Sequence, residues 1–549
     1  MPLPIRRPIP STGSARASRA DPPDGLNRSW RPLAAAALLI VLLSSCTPAR
    51  AVRRDVVIGI VGEPASVFAD DPNARLIAAA VTEQLVRRDA HDDLVARLAT
   101  VVPTLENGGL KVVTDDPAAP NGRQVAVFEL RAGLRWQDGE PITADDVRFA
   151  WDDDRAAPPG TQARWIAERV ERVEVLDGRT VRFVFLADER WDGYATVARV
   201  LPRHLLANAS PADRARYDRE PVHAGPFAVA AWLPGIGITL SAFRDYALGA
   251  PAIGRLEIRF FGDRGALLEA LRRGDVDVAP SPALEADLAR TLDRFADGGA
   301  LQTFYTPSEA IEVLRFGPRL ADPELRRAIL LTVDRTAIVS ALFAGRALVA
   351  KSYLVPPLWA AAEGGPAPRP DRVAARNALA GAGFVRGTFG IQERGGDRMV
   401  LTLLVPAGSP ARLEAARLVA GDLAAVGIAA QVRERPAAEV AAAVAGGAFD
   451  LAIQPQPAGD PQQTTAGYAG TAGPWFDTLA AGAAAGPDRT EKRSLYLELA
   501  RLWSAAPAGV ALYQRLLVDV ARRDLAGIQP VPAGEPLTWN VRDWRFAAP

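Results

Sequence analysis

Residues 399–432 read MVLTLLVPAGSPARLEAARLVAGDLAAVGIAAQV. Met399–Val405 is an apolar run of strand length, and Ser409-Pro410 supplies a helix N-cap followed by a proline at the first helical position. Leu413, Ala416, Val419, Leu423 and Val426 then recur at three- and four-residue spacing, and Gly427 ends that helix before a second strand, Ile428–Val432. A strand that returns after a helix of this length pairs in parallel with the first. The fold class expected from this unit is α/β.

The same alternation extends outward. Val56–Ile60 is a short apolar strand, and the spacing after it predicts a helix over Leu76–Val86. Residues 125–130, VAVFEL, form a strand that leads to the turn Gln137-Asp138-Gly139-Glu140, where Asp-Gly supplies the positive backbone angle of a tight turn. Thr143 then caps a helix with Asp145 and Asp146 in its first turn. Two segments share a plan. Leu267, Leu268 and Leu271 make a helical stripe ended by Gly274, and a strand begins at Asp275-Val276-Asp277-Val278; Val440 and Val444 lead to Gly446-Gly447 and the strand Phe449-Asp450-Leu451-Ala452-Ile453. One copy in each half suggests two α/β lobes of related plan.

At 549 residues the chain is too long for one core. It balances 64 Lys and Arg against 64 Asp and Glu, which gives no pull toward nucleic acid, so none is expected as a partner. Hydrophobic residues at 49% and charged residues at 23% suit a folded chain. Only Lys111, Lys351 and Lys492 are lysines, an arginine bias of the kind a high-GC genome produces. One cysteine excludes disulfide frameworks and cysteine-based zinc sites. His91, His204 and His223 lack paired ligand spacing, so neither a metal nor a cofactor is expected.

The cysteine has an informative position. Cys46 closes Leu43-Ser44-Ser45-Cys46 after the uncharged run 33–43, which is preceded by Arg28 and Arg31. Eleven apolar residues are too few to span a bilayer but suit the core of a secretory signal. The four residues resemble a bacterial lipobox, in which the cysteine is acylated and becomes the new amino terminus. Residues 1–45 are accordingly expected to be a disordered leader and lipoprotein signal, 46–54 a linker, and the body extracytoplasmic, anchored to the outer face of the cytoplasmic membrane by lipid on Cys46.

Four ordered segments carry a family resemblance: VFELRAGLRWQDGEPITADDVRFAW at 127–151; Ala224-Gly225-Pro226-Phe227 through Phe243–Tyr246 to LLEALRRGDVDVAPS at 267–281; Pro323–Val339; and LAAVGIAAQV at 423–432 followed by Gly447–Ile453. Together they resemble the family-5 extracellular solute-binding proteins, the dipeptide and oligopeptide receptors of ABC importers. The resemblance implies a two-lobed periplasmic-binding-protein-like fold of the large, peptide-receptor type, with mixed sheets and a hinge. Lobe 1 would span 55–308 with an extra subdomain at about 75–220, lobe 2 would span 309–508, and 509–549 would return to lobe 1. The hinge would cross near Phe304–Arg315 and again near 500–512.

The site expected from these readings binds and does not catalyse. Asp460, on a Pro/Gly-rich loop after a predicted strand, would pair with a solute amine, because an unpaired buried charge costs several kcal/mol. In relatives this strand is often followed by a Trp- and Asp-rich stretch; here it is Gln454-Pro-Gln-Pro-Ala-Gly-Asp460-Pro461, without Trp and with the aspartate displaced by about one position. Trp359, Tyr468 and Trp475 lie in or beside Pro- or Gly-rich loops, where broad aromatic faces can line a cleft, whereas Trp136 in the signature hairpin is assigned to structure. Asn73 and Arg75 match a region that faces ligand in relatives, and His223 precedes the Gly-Pro segment.

The function expected is a monomeric receptor that captures peptides by lobe closure and delivers them to an ABC permease. A receptor for a sugar or metal chelate is one alternative. A secreted hydrolase is another, though the chain has no GxSxG, no HExxH and no phosphate loop, and only dispersed carboxylates could form a glycosidase pair.

Overall fold

The computed structural model describes residues 55–547 apart from 90–92, 115, 121, 160, 188–189, 286–287, 362–368, 457–458, 469, 471–472, 487–488, 506–508 and 532–534. The leader, Cys46 and the linker therefore lie outside the described residues. Ten strands build one mixed sheet: β1 (Asp55–Val61), β2 (Phe227–Leu233), β3 (Gly237–Ala242), β4 (Arg255–Phe261), β5 (Val278–Ala279), β6 (Leu301–Phe316), β7 (Val400–Pro406), β8 (Ala429–Arg435), β9 (Leu451–Gln456) and β10 (Gly509–Arg522). Their order is β8-β7-β9-β6-β10-β5-β1-β4-β3-β2.

The unit that opened the sequence reading forms as expected. β7 runs parallel to β8 from Val400↔Ala429, and the helix between them, Pro410–Ala424, is capped by Ser409, whose side chain accepts from the Arg412 amide. The buried face of that helix is turned slightly from the predicted stripe. It consists of Ala411, Arg412, Ala415, Ala416, Val419 and Leu423, while Leu413 is half-buried. Arg412 faces inward because its guanidinium meets the carboxylate of Glu312 on β6 at 2.8 and 3.0 Å.

The two related segments do the same job in each lobe. Asp277 accepts from the Val57 amide at 2.8 Å, one position before the parallel pair Ile58↔Val278. Asp450 accepts from the Thr402 amide at 2.9 Å, one position before Leu403↔Leu451. Each aspartate thus fixes the register of its own parallel pair, β1 with β5 and β7 with β9.

β6 and β10, 16 and 14 residues long, pair antiparallel from Leu301↔Arg522 to Arg315↔Gly509. The register shifts between Pro307 and Ile311, and Gln514 Nε2 donates to the Ser308 carbonyl at 2.6 Å within that bulge. Of the expected return crossing at 500–512, residues up to 505 belong to the helix Arg489–Ala505, and β10 begins at Gly509. The first helix is also displaced from the prediction. It spans Pro72–Val81, with Asp71 capping the Ala74 amide at 2.9 Å, and Val86 belongs to a short strand, Val86–Arg88.

A separate four-stranded antiparallel sheet orders Leu110–Val113, Arg123–Glu129, Thr180–Ala187 and Val170–Val175. The helix Ala144–Ala156 contributes Val147 and Trp151 to a core shared with Phe128, Phe183 and Phe185 of this sheet and with Trp136 of the hairpin. Asp146 closes the helix start by accepting from the Thr143 amide and hydroxyl at 2.8 and 3.1 Å, and Gly139 adopts the expected positive φ of 93°.

Candidate functional site

β9 leads into the loop that carries Asp460, and the next helix, Pro461–Ala466, starts on that residue. Asp460 Oδ1 accepts from the amides of Gln462 and Gln463 at 2.8 and 3.4 Å. Its Oδ2 accepts from Trp191 Nε1 at 3.2 Å, 269 residues away in sequence and on the wall built by the four-stranded sheet. Removal from water is the largest influence on the Asp460 carboxyl and raises its pKa, against the hydrogen bonds that favour the anion.

Trp191 is held rigidly for this contact. Gln124, buried on Arg123–Glu129, accepts from the Trp191 amide at 2.7 Å and donates to its carbonyl at 3.1 Å. The indole sits edge-on to Trp165 and Phe185, with ring centroids at 5.8 and 6.4 Å. The Arg169 guanidinium lies 3.8 Å from the Trp165 centroid and 5.8 Å from that of Trp191, a cation–π arrangement beside Asp460.

A second set of contacts crosses between the same walls. Lys492, on the helix Arg489–Ala505, places Nζ 3.1 Å from Asp192 Oδ2 and donates to the Arg190 carbonyl. Gln463 Nε2 donates to Gln162 Oε1 at 3.1 Å. One turn beyond Lys492, buried Tyr496 meets Trp359 edge-on at 5.6 Å, and the Arg489 guanidinium lies 5.1 Å from the Trp359 ring. Asp460 and Trp359, read separately from the sequence, both neighbour Tyr496 of the Arg489–Ala505 helix.

The other sequence candidates stand elsewhere. Tyr468 is buried, its hydroxyl donating to Gln456 Oε1 and its ring packed on Tyr353 and Trp503. Trp475 is 61% exposed near the start of the helix Pro474–Ala485. Asn73 Nδ2 donates to the Val61 carbonyl at 2.8 Å, tying its helix to the end of β1, and Arg75 on the same helix is exposed. His223 is buried against Trp136, with Nδ1 accepting from the Glu83 and Ala224 amides at 3.3 and 2.9 Å. Burial, assisted by the Arg199 charge, lowers its pKa to about 3, so the imidazole is neutral. Next to it, buried Glu83 is matched by Arg97 at 3.0 Å and by the Tyr246 hydroxyl. Among the described residues, no group of three His, Cys, Asp or Glu side chains is placed to hold a metal ion.

Sequence reasoning did not single out Gln124, Trp165, Arg169, Trp191, Asp192, Lys492 or Tyr496. One signal was present: Lys492 is among only three lysines in an arginine-dominated chain. Asp460-Pro461 also repeats the cap-plus-proline signature of Ser409-Pro410, so its role as an N-cap could have been read directly.

Comparison with known proteins places these contacts in a family context. The model of bacterial extracellular solute-binding proteins, family 5, matches residues 116–474. Protein XP55 of Streptomyces lividans is 30% identical over 389 residues, 69% of this chain and just under two-thirds, 66%, of that relative. Two solved structures share the two-lobed fold. The oligopeptide-binding protein AppA of Bacillus subtilis in complex with a nonapeptide is 20% identical with TM-score 0.70, covering 90% of this chain and 100% of that one. NikZ of Campylobacter jejuni in complex with Ni(L-His) is 21% identical with TM-score 0.73, covering 90% of this chain and 99% of that one.

Proposed function

We propose, since the chain belongs to the bacterial extracellular solute-binding proteins of family 5, that it is a lipid-anchored receptor which captures a peptide-like solute between its lobes and delivers it to an ABC permease. Proteins of this family are extracytoplasmic binding receptors and not enzymes, which sets aside the hydrolase alternative. The observation that carries the reading is the Trp191–Asp460 contact, because two walls distant in sequence meet at a carboxylate. A carboxylate offers about four acceptor sites. Among the described residues three N–H groups bond to it, two at Oδ1 and one at Oδ2, so Oδ2 is the oxygen that would take a solute ammonium. An arriving cation would stabilise the anion that desolvation disfavours, so solute binding and ionisation of Asp460 reinforce each other.

Peptide as the solute is supported by the names of relatives such as AppA, and a metal chelate is the solute of NikZ. Calorimetry on the mature protein with defined peptides, sugars and metal chelates separates these classes. Saturable peptide binding supports the proposal, and binding of chelates or sugars alone ends it. Within the peptide reading, Asp460→Ala should weaken free-amine peptides by about tenfold more than it weakens N-acetylated ones. An equal loss for both removes Asp460 from ammonium recognition.

A further inference from the structure

We infer that Lys492 and Asp192, with Trp191–Asp460 and Gln463–Gln162, form a latch that holds the cleft closed without a solute. The inference rests on the reading of the chain as a closing receptor but not on what the solute is. The Lys492 side chain is only 3% exposed, and its ammonium meets Asp192 Oδ2 and the Arg190 carbonyl, both on the opposite wall. A buried ammonium without partners is costly. Lys492 therefore cannot stay where it is if the walls part; it must exchange those two partners for water. Trp191 Nε1 would likewise lose Asp460 Oδ2, and Gln463 would lose Gln162.

Parting the walls would break these contacts, which involve the protein's own side chains, so they bias the open–closed equilibrium before any solute arrives. Trp191 is already immobilised by Gln124 through both its backbone groups, so little further ordering is needed on that wall. Lys492 and Asp192 are positioning residues in this arrangement. Their effect on affinity comes through the closed fraction, because apparent affinity scales with the population of the binding-competent form.

The test is an interlobe distance distribution in the solute-free protein. Nitroxides are placed at the exposed helix positions Asp145 and Thr478, with Cys46→Ser to leave no competing thiol, and distances are read by pulsed electron resonance. A population at the closed distance is expected in the parent. Lys492→Met and, separately, Asp192→Asn should lower the closed-to-open ratio by about tenfold or more, and the double variant should be little worse than either single one. Gln463→Ala, on an exposed contact, should give a smaller shift in the same direction. A wild-type population that is wholly open, or variant distributions identical to the parent's, would overturn the latch. Neither result bears on whether the solute is a peptide, and a melting curve for each variant separates an opened cleft from an unfolded lobe.

Discussion

Asp519 and His223 are buried ionisable side chains whose responses to pH have opposite sign. Asp519, on β10, accepts from the Ser281 amide at 2.8 Å, and burial raises its pKa to about 6. Between pH 4 and 6 the native state keeps a proton that the unfolded chain has released. Stability therefore falls as pH rises through that window, and a deficit of roughly 3 kcal/mol persists above it. His223, with a pKa lowered to about 3, behaves oppositely. Between pH 6.5 and 3 the unfolded chain gains a proton that the native state refuses, so stability falls as pH drops. The two terms offset each other near pH 5. Asp519→Asn keeps an oxygen for the Ser281 amide and loses the charge; it should stabilise the protein at pH 7 by about 1–3 kcal/mol and expose the histidine's acid-side decline. Urea denaturation from pH 4 to 8 checks this, and superimposable profiles for parent and variant would refute it. Asp277 and Asp450 make a second prediction at this scale. Replacing either by Ala orphans a strand amide, and each should cost about 1–3 kcal/mol in equilibrium denaturation, with the larger loss at Asp277, whose bond is buried where that of Asp450 is part-buried. No loss at Asp277 would refute its part in holding the strand pair.

Among the elements, the long strand β6 pairs with β10 and carries the carboxylate of a buried ion pair with the helix Pro410–Ala424. Glu312, two positions past the bulge, takes Arg412 in a two-pronged contact, with Arg515 at 3.7 Å. Arg412→Met alone leaves that carboxylate buried beside one weaker partner and should destabilise by about 3 kcal/mol. The double variant Glu312→Leu, Arg412→Met removes both charges and should recover most of the loss; a double variant as unstable as the single one would show that the helix needs Arg412 for its own packing. The βαβ unit at 399–432 and the paired Gly-stopped helices were legible because their signals are local, in caps, spacing and turn glycines. Arg412 was not, since its inward position depends on Glu312 a hundred residues away. The helix at Pro72–Val81 was shifted in the reading because Asp71-Pro72 was not used as its start. The candidate site was legible at Asp460 and Trp359 and nowhere on the opposite wall. Trp191 reaches Asp460 across 269 residues, and no periodicity encodes such a contact.

For the whole molecule, net charge decides how the body can be kept at a membrane, and without residues 1–45, which hold six Arg and two Asp, it is slightly negative. A polybasic protein would cling to anionic lipid at low ionic strength even after losing an acyl anchor. This chain has no such excess, and no helix among the described residues is long and apolar enough to cross a bilayer. If Cys46 is the attachment point, the acyl chains supply the affinity at about 0.8 kcal/mol per buried methylene, and the folded body contributes little. The body carries its own cores across both lobes and the four-stranded sheet, so it should fold when exported from Thr47 onward behind a cleavable leader that lacks cysteine. In cell fractionation that version should be soluble at both low and high salt, while the parent stays with the membrane at both and takes up labelled palmitate. Retention of the cysteine-free version at low salt, lost on adding salt, would mean that a charged face of the body binds lipid despite the slightly negative total. Retention at both salts would place the attachment in the body and not at Cys46.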